Sequence, residues 1–273
     1  MKHKNISFKS STLLQHFIDL NRPCFDITEA KKVLGGKSEN AAWELLSDMT
    51  KRGLLMRVKQ GLYYIIPFEQ DPATFMPDWH LMAECLAKGT NHYIGYYSAL
   101  QLHNLTTQPA LNELVVTDRQ IRPATLKVKD TNFRFICHNQ KHFFGAKKIW
   151  VDSYQKVLCS DLEKTFVDCL YKPEHADGIV ETGKALYKAK QSINYERLLE
   201  YCKQFDSQAV IKRLGFLLEL LKIENPIIDK LQILKSNSYI QLDTEMPNKG
   251  KRLSRWSIQQ NIDSETIQSS ILT

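Results

Sequence analysis

Between Lys51 and Lys59 stand four basic side chains and no acid: Lys51, Arg52, Arg57 and Lys59. Guanidinium forks and ammonium groups packed this closely suit phosphate oxygens. Arg57 and Lys59 alternate with Met56 and Val58, so on a strand both cations leave one face. Just upstream lie Lys37, Ser38, Asn40, Ser47 and Lys51. Asparagine can pair bidentately with adenine, serine can bond either way, and lysine can reach guanine or a phosphate. Other chemistry finds less support. His138 and His142 are separated by three residues, but no second pair or acidic cluster follows at ligand spacing, so both read as surface or core histidines. His103 reads as a packed histidine. Asp161-Leu162-Glu163-Lys164 loosely echoes a nuclease hemistich, yet acid and lysine are adjacent rather than spaced by one. Glu163 and Lys164 are better read as surface or ion-pairing residues at a helix start capped by Ser160 or Asp161. No phosphate loop, dinucleotide fingerprint or nucleophile elbow is present, so no cofactor, no metal and no enzymatic activity are expected.

The basic residues need elements to position them. Leu13, Leu14, Phe17 and Ile18 make one face of a first helix, which ends at Asn21-Arg22-Pro23 because proline disfavours helix in the residue before it. Asp26-Ile27-Thr28-Glu29 has the form of a capping box; Ile27, Ala30, Val33 and Leu34 form the stripe of a short second helix stopped by Gly35-Gly36. A third helix starts at the N-cap Ser38 and runs to about Arg52, its apolar face Ala42, Leu45, Leu46 and Met49. That leaves Asn40, Glu44, Ser47 and Lys51 outward and Trp43 at the flank. Trp43 serves equally well as a partly buried core residue. Gly53 closes the helix, and two β-rich runs separated by Gln60-Gly61 make a hairpin. Three helices and a hairpin is the order of a winged helix-turn-helix, whose second motif helix enters the major groove and whose wing tracks the backbone. The spacing therefore predicts a DNA interface of Lys37, Ser38, Asn40, Trp43, Ser47, Lys51, Arg52, Arg57 and Lys59.

Residues 68–79, with Pro72 and Pro77 among acids, read as a linker between a winged helix at 1–67 and a second domain at 80–273. That domain opens with a helix from His80 carrying Leu81, Met82, Cys85 and Leu86. Helical spacing follows at Tyr97–Leu105, then strand-like runs at Asn112–Thr117, Thr125–Val128, Asn132–Cys137 and Lys148–Val151, with a short strand near Val157. Helices are expected at Asp161–Leu170, Gly178–Ala189, Asn194–Gln204 and Ser207–Ile223. Ser238–Leu242 and Leu253–Ile258 read as two closing strands. Strands gathered first and helices later predict an α+β fold: an N-terminal winged helix-turn-helix followed by a larger mixed α/β domain.

Composition fits this frame. The 273 residues suggest about two domains. With 43% hydrophobic and 25% charged residues, the chain is neither collagen-like, disordered nor a disulfide miniprotein. Its 37 Lys and Arg against 30 Asp and Glu leave +7, which favours an anionic partner. No apolar run is long enough to span a membrane, and the basic Met1-Lys2-His3-Lys4-Asn5 leads into no apolar core, so secretion is not expected. The six cysteines, Cys24, Cys85, Cys137, Cys159, Cys169 and Cys202, include no C-x-x-C pair and are read as free thiols of a cytoplasmic protein.

Several segments, in order, carry a resemblance. They are Gly61-Leu62-Tyr63-Tyr64; Tyr93-Ile94-Gly95-Tyr96-Tyr97-Ser98-Ala99-Leu100 with His103 and Leu105; Asp161-Leu162-Glu163-Lys164-Thr165; Arg213-Leu214-Gly215-Phe216-Leu217-Leu218-Glu219; and Ser254-Arg255-Trp256. Following a winged helix, they resemble the AbiEi family of antitoxins from type IV toxin–antitoxin systems, over roughly residues 10–260. One departure is Asp177-Gly178, where paired glycines are expected. The resemblance implies a winged helix that binds inverted repeats in its own promoter and represses the operon. It also implies a C-terminal domain that counteracts a nucleotidyltransferase-like toxin without needing a stable complex with it. Lys249, Lys251, Arg252 and Arg255 form either a second nucleic-acid contact or a solvated hairpin tip, the tip being the plainer reading. Two alternatives stay open: a nucleic-acid-processing enzyme targeted by the winged helix, with Asp161 or Glu163 in its site, and a regulator or protein-contact module without a toxin.

Overall fold

The structure, a computed structural model, describes residues 6–36 and 38–272. Lys37 lies outside the described residues, and so does the phosphate-binding role expected of it. The chain forms two compact units, Met1–Leu86 and Ala87–Thr273. The first unit thus runs past the expected boundary and takes in both the stretch read as a linker and the helix read as the start of the second domain.

In the first unit, α1 (Phe8–Asp19) buries Leu13, Leu14 and Phe17. Ile18, expected on the same face, is 56% exposed. The chain then makes a strand that the sequence does not announce, β1 (Cys24–Asp26), because three residues are too few to show a period of two. Asp26 ends β1 and caps α2 (Ile27–Val33) in a complete box: its carboxylate accepts from the Glu29 amide at 2.9 Å, and Glu29 accepts from the Asp26 amide at 3.0 Å. After Gly35-Gly36 come α3 (Glu39–Lys51), β2 (Leu55–Lys59) and β3 (Leu62–Ile65). The sheet has the order β1-β3-β2, antiparallel throughout. Its core joins Leu13, Phe17, Phe25, Ala30, Leu46, Met49 and Tyr63, with Phe17 stacked on Phe25 at 4.4 Å. The last helix, α4 (Trp79–Leu86), is tied to β1 by a Cys24–Cys85 disulfide with Cα atoms 6.1 Å apart. This corrects the expectation of free thiols for two of the six cysteines. Sequence separation hid the pair, since two strangers 61 residues apart meet only when α4 folds back on β1.

The second unit begins with β4 (His92–Ile94) and α5 (Tyr96–Leu102), followed by β5 (Asn112–Thr117), β6 (Thr125–Val128), β7 (Thr131–Cys137), β8 (Ala146–Trp150) and β9 (Lys156–Ser160). These strands make one mixed sheet in the order β6-β7-β5-β4-β9-β8, with β5–β7 and β4–β9 parallel. Then come α6 (Leu162–Tyr171), α7 (Gly178–Ala189), α8 (Tyr195–Phe205), α9 (Gln208–Leu220) and α10 (Ile227–Leu234). A small sheet of β10 (Ile240–Gln241), β11 (Lys251–Leu253) and β12 (Ile258–Gln260) precedes α11 (Ser264–Ser270). Helices α10 and α11 and strand β4 had no clear sequence signal, and the second closing strand resolves into the β11–β12 pair. With strands and helices segregated along the chain, the unit is α+β.

Helix α6 organises this unit, packing against α5, α7, α8 and α9 with seven consecutive side chains, Lys164 to Leu170, buried. Lys164 and Asp168 lie one turn apart, both fully buried and ion-paired. The Tyr93 hydroxyl accepts from the Lys164 ammonium at 2.8 Å and donates to Asp168 at 3.0 Å. Beside them Tyr96 hydroxyl and His138 Nε2 share a hydrogen bond of 2.7 Å. Of the two positions expected for Glu163 and Lys164, surface or ion-pairing, the structure shows the second: both are buried and ion-paired. Helix α9 holds another junction: a Cβ at Gly215 would come within 2.0 Å of the Trp256 ring, so only glycine admits the indole there. Trp256 Nε1 donates to Glu219 at 2.7 Å, and Arg255 pairs with the same carboxylate. Arg213 donates to the carbonyls of Leu170 and Gln241 at 2.7 and 2.9 Å. Where paired glycines were expected, Asp177 takes the left-handed conformation at φ 53°, which aspartate tolerates better than most residues. Gly178 then passes Asp243, whose carboxylate accepts from the Ile179 amide at 2.7 Å.

Candidate nucleic-acid interface

Helix α3 divides cleanly. Ala42, Leu46 and Met49 are buried and Leu45 half-buried, while Asn40, Glu44, Ser47, Asp48 and Lys51 are exposed. Ser38 caps it, its hydroxyl accepting from the Ala41 amide at 3.3 Å. The same exposed face forms one wall of a groove of about 530 Å³, with the β2–β3 hairpin opposite. Trp43, Ser47 and Lys51 line it from α3, and Arg57 and Tyr63 from the hairpin. Trp43 is half-buried and meets the Tyr63 ring edge-on at 6.4 Å, so it belongs both to the packing and to the groove wall.

The hairpin is built to present cations. Along β2, Arg57 and Lys59 are exposed while Met56 and Val58 are half-buried, the alternation expected of a strand with one solvated face. Arg57 stands opposite Tyr63, and the register shifts between Arg57 and Lys59. Such an irregularity twists the strand locally and re-aims the side chains at its tip. Burial raises the Tyr63 phenol above its ordinary value, with the Arg57 charge opposing. Tyr63 therefore stays neutral, a flat donor–acceptor beside a guanidinium. A plain two-residue turn at Gln60-Gly61 would set Arg57 opposite Tyr64; the register shift brings Tyr63 there instead, which the sequence alone does not show.

Not every expected residue converges. Trp43, Ser47, Lys51 and Arg57 share the groove; Ser38, Asn40 and Lys59 are exposed outside it. Arg52 is turned to the fold: it pairs with Asp48 at 2.6 Å and donates to Ser10 Oγ at 3.2 Å. These two contacts tie the end of α3 to α1. The acids Glu44 and Asp48 also line the groove, but the Arg52 pair draws on the charge of Asp48. The groove is thus amphoteric, and its cationic edge lies with Lys51, Arg57 and the nearby Lys59.

In the second unit, the two carboxylates of the loose hemistich are engaged in the fold. Asp161 caps α6 by accepting from the Lys164 amide at 2.8 Å and takes a 2.8 Å hydrogen bond from Tyr201. Glu163 accepts from the Asn194 amide at 2.8 Å and pairs with Arg197. His103 is bonded to the Ser160 carbonyl at 2.9 Å, and His142 stacks on Phe205 at 3.8 Å. Among the described residues no group of three or more His, Cys, Asp or Glu side chains could hold a metal ion, and no helix is long and apolar enough to cross a membrane.

Comparison with known proteins bears on the fold. No family model matches the chain, and no curated protein matches it. The crystal structure of the RV2827C protein from Mycobacterium tuberculosis is similar with a TM-score of 0.67 and 12% identity, covering 100% of this chain and 97% of that one. At that identity the likeness concerns the fold alone.

Proposed function

We propose that the first unit is a winged helix that binds duplex DNA, and that the chain is a non-enzymatic autorepressor of the antitoxin type. The observation that carries the DNA reading is the groove itself. It pairs a helix face bearing Ser47 and Lys51, with Asn40 on its exposed first turn, against a hairpin that offers Arg57 and Lys59 to solvent. A helix for base edges beside a cationic strand for phosphates is the division of labour in winged-helix readers. The antitoxin half rests on the sequence resemblance to the AbiEi family: it supports repression through inverted repeats in the protein's own promoter and antagonism of a nucleotidyltransferase-like toxin. The engagement of Asp161 and Glu163 in capping and ion pairing weighs against the alternative of a nuclease using them.

The test is binding of the full chain to its own upstream DNA and to a scrambled duplex at about physiological salt, where loose charge attraction is screened. A preference of about a hundredfold or more is the expected result. Equal, weak binding to both would overturn the repressor reading.

A further inference from the structure

We infer that the β8–β9 hairpin of the second unit is a docking site for single-stranded nucleic acid, independent of the groove in the first unit. The segment from Ala146 to Lys156 holds three lysines, Lys147, Lys148 and Lys156, two aromatics, Trp150 and Tyr154, and a single acid, Asp152. Strand β8 is the outer strand of the six-stranded sheet. Lysines on such an edge have an ordinary purpose, since they discourage pairing with another strand. An exposed indole works against that purpose and needs a different reason. Trp150 is 58% exposed and Tyr154 81%, although each ring has much apolar surface to hide.

The geometry gathers these groups. Trp150 stands opposite Lys156 and Lys148 opposite Leu158, so Lys148, Trp150 and Lys156 share one face of the hairpin. The Lys156 ammonium lies 4.0 Å from the centroid of the Trp150 ring, a cation–π contact that steadies the indole and keeps a charge beside it. In the turn, one oxygen of Asp152 accepts from the amides of Tyr154 and Gln155, both at 2.7 Å. The sole acid thereby shapes the turn that carries Tyr154.

Rings flanked by flexible cations fit a chain that alternates flat bases with phosphates. A duplex offers phosphates but keeps its base faces stacked within, so the exposed rings favour unpaired bases. RNA and DNA share this chemistry, and the 2′-hydroxyl is what would separate them.

The test uses the full chain with labelled oligothymidylate and oligouridylate of about 12 nucleotides. Binding of either or both is expected, and a preference for oligouridylate would assign the site to RNA. Trp150→Leu should weaken binding about tenfold or more, the usual effect of losing one stacked base. Lys148→Gln with Lys156→Gln should flatten the slope of log affinity against log salt by about 1.4, at roughly 0.7 per phosphate contact on a single strand. Trp150→Phe keeps a stacking ring: it should retain most of the affinity while losing the bound-state quenching of tryptophan emission, which separates stacking from misfolding. Arg57→Ala with Lys59→Ala should leave single-strand binding unchanged. Failure of both oligonucleotides to bind, binding indifferent to Trp150 and the lysines, or binding lost with the Arg57 and Lys59 variant would each overturn the assignment.

Discussion

Asn40, His138 and His175 show how much a single side chain's setting decides. Asn40 is exposed in the first turn of α3, as its helical spacing predicts, and its amide is of the type that reads adenine bidentately. Asn40→Ala should lower affinity for the operator by about 1–3 kcal/mol and leave random duplex unaffected. Equal losses on both would show that it reads no base. His138 and His175 are governed instead by burial, which pushes them down to about 2 and about 4. Around His138 stand Lys164, Lys172, His142 and His175, which also disfavour its charge; around His175, Arg134 and Lys172 oppose protonation and Glu174 favours it. Asp168 lies 3.9 Å from His138, but the Lys164 ammonium already holds that carboxylate. In the unfolded chain both histidines take up protons near 6.5. Below that pH the unfolded state binds more protons, so stability falls as pH drops; the loss levels off near 4 for His175 and near 2 for His138. Each contributes a slope of about 1.4 kcal/mol per pH unit within its window. Urea midpoints of the second unit between about pH 6 and 4.5 should therefore fall more steeply in the native chain than in His138→Gln with His175→Gln. Identical slopes would mean that the two rings titrate normally in the folded state.

At the scale of elements, the hairpin carries a prediction that the helix does not. If Arg57 and Lys59 each meet one phosphate, Arg57→Ala with Lys59→Ala should weaken all duplexes alike and flatten the salt slope by about 1.8. An unchanged slope would remove the hairpin from the interface. The hairpin and the helix were also the most legible elements in the sequence, because alternation in β2 and the Ala42, Leu46 and Met49 stripe are local patterns. What escaped was non-local. Strand β1 is too short to show a period and exists because β3 pairs with it. Arg52 belongs to the same run of bases as Arg57, yet it pairs with Asp48 and reaches Ser10, forty-two positions away. Lys164 reads as a surface or ion-pairing residue, and the enclosure by Tyr93 and Asp168 that buries the pair is set by the fold. The segments that suggest a family are explained on similar grounds. Gly215, Glu219, Arg255 and Trp256 meet in one contact, and Tyr93 and Lys164 in another, so packing accounts for part of their pattern. Trp150 is hidden in the sequence because an aromatic in a strand-like run reads as core, and the outer position of β8 leaves it in solvent.

The whole molecule is two units whose stability has different sources. The second has a core large enough to bury Lys164, Asp168 and Arg213 with partners. The first is small, and small domains bury a lower fraction of their surface and often need a further constraint. Here the Cys24–Cys85 bridge supplies one, closing a loop across 61 positions that joins β1 to α4. Restricting the unfolded chain by a loop of that length is worth about 4 kcal/mol in the chain-entropy treatment, and measured bridges usually give about 2–4. Reduction, or Cys24→Ser with Cys85→Ser, should accordingly lower hydrogen-exchange protection of α1, α3 and the hairpin. Protection of α6 and α9 should stay as it was, since Cys159, Cys169 and Cys202 are free and buried and no disulfide joins that unit. A direct count precedes any stability measurement. Thiol titration of the denatured, unreduced chain should find four reactive groups, the three just named and the exposed Cys137. Six would mean that Cys24 and Cys85 are unbridged, and the first unit would have to hold α4 against β1 by packing alone; reductant would then leave its exchange protection unchanged.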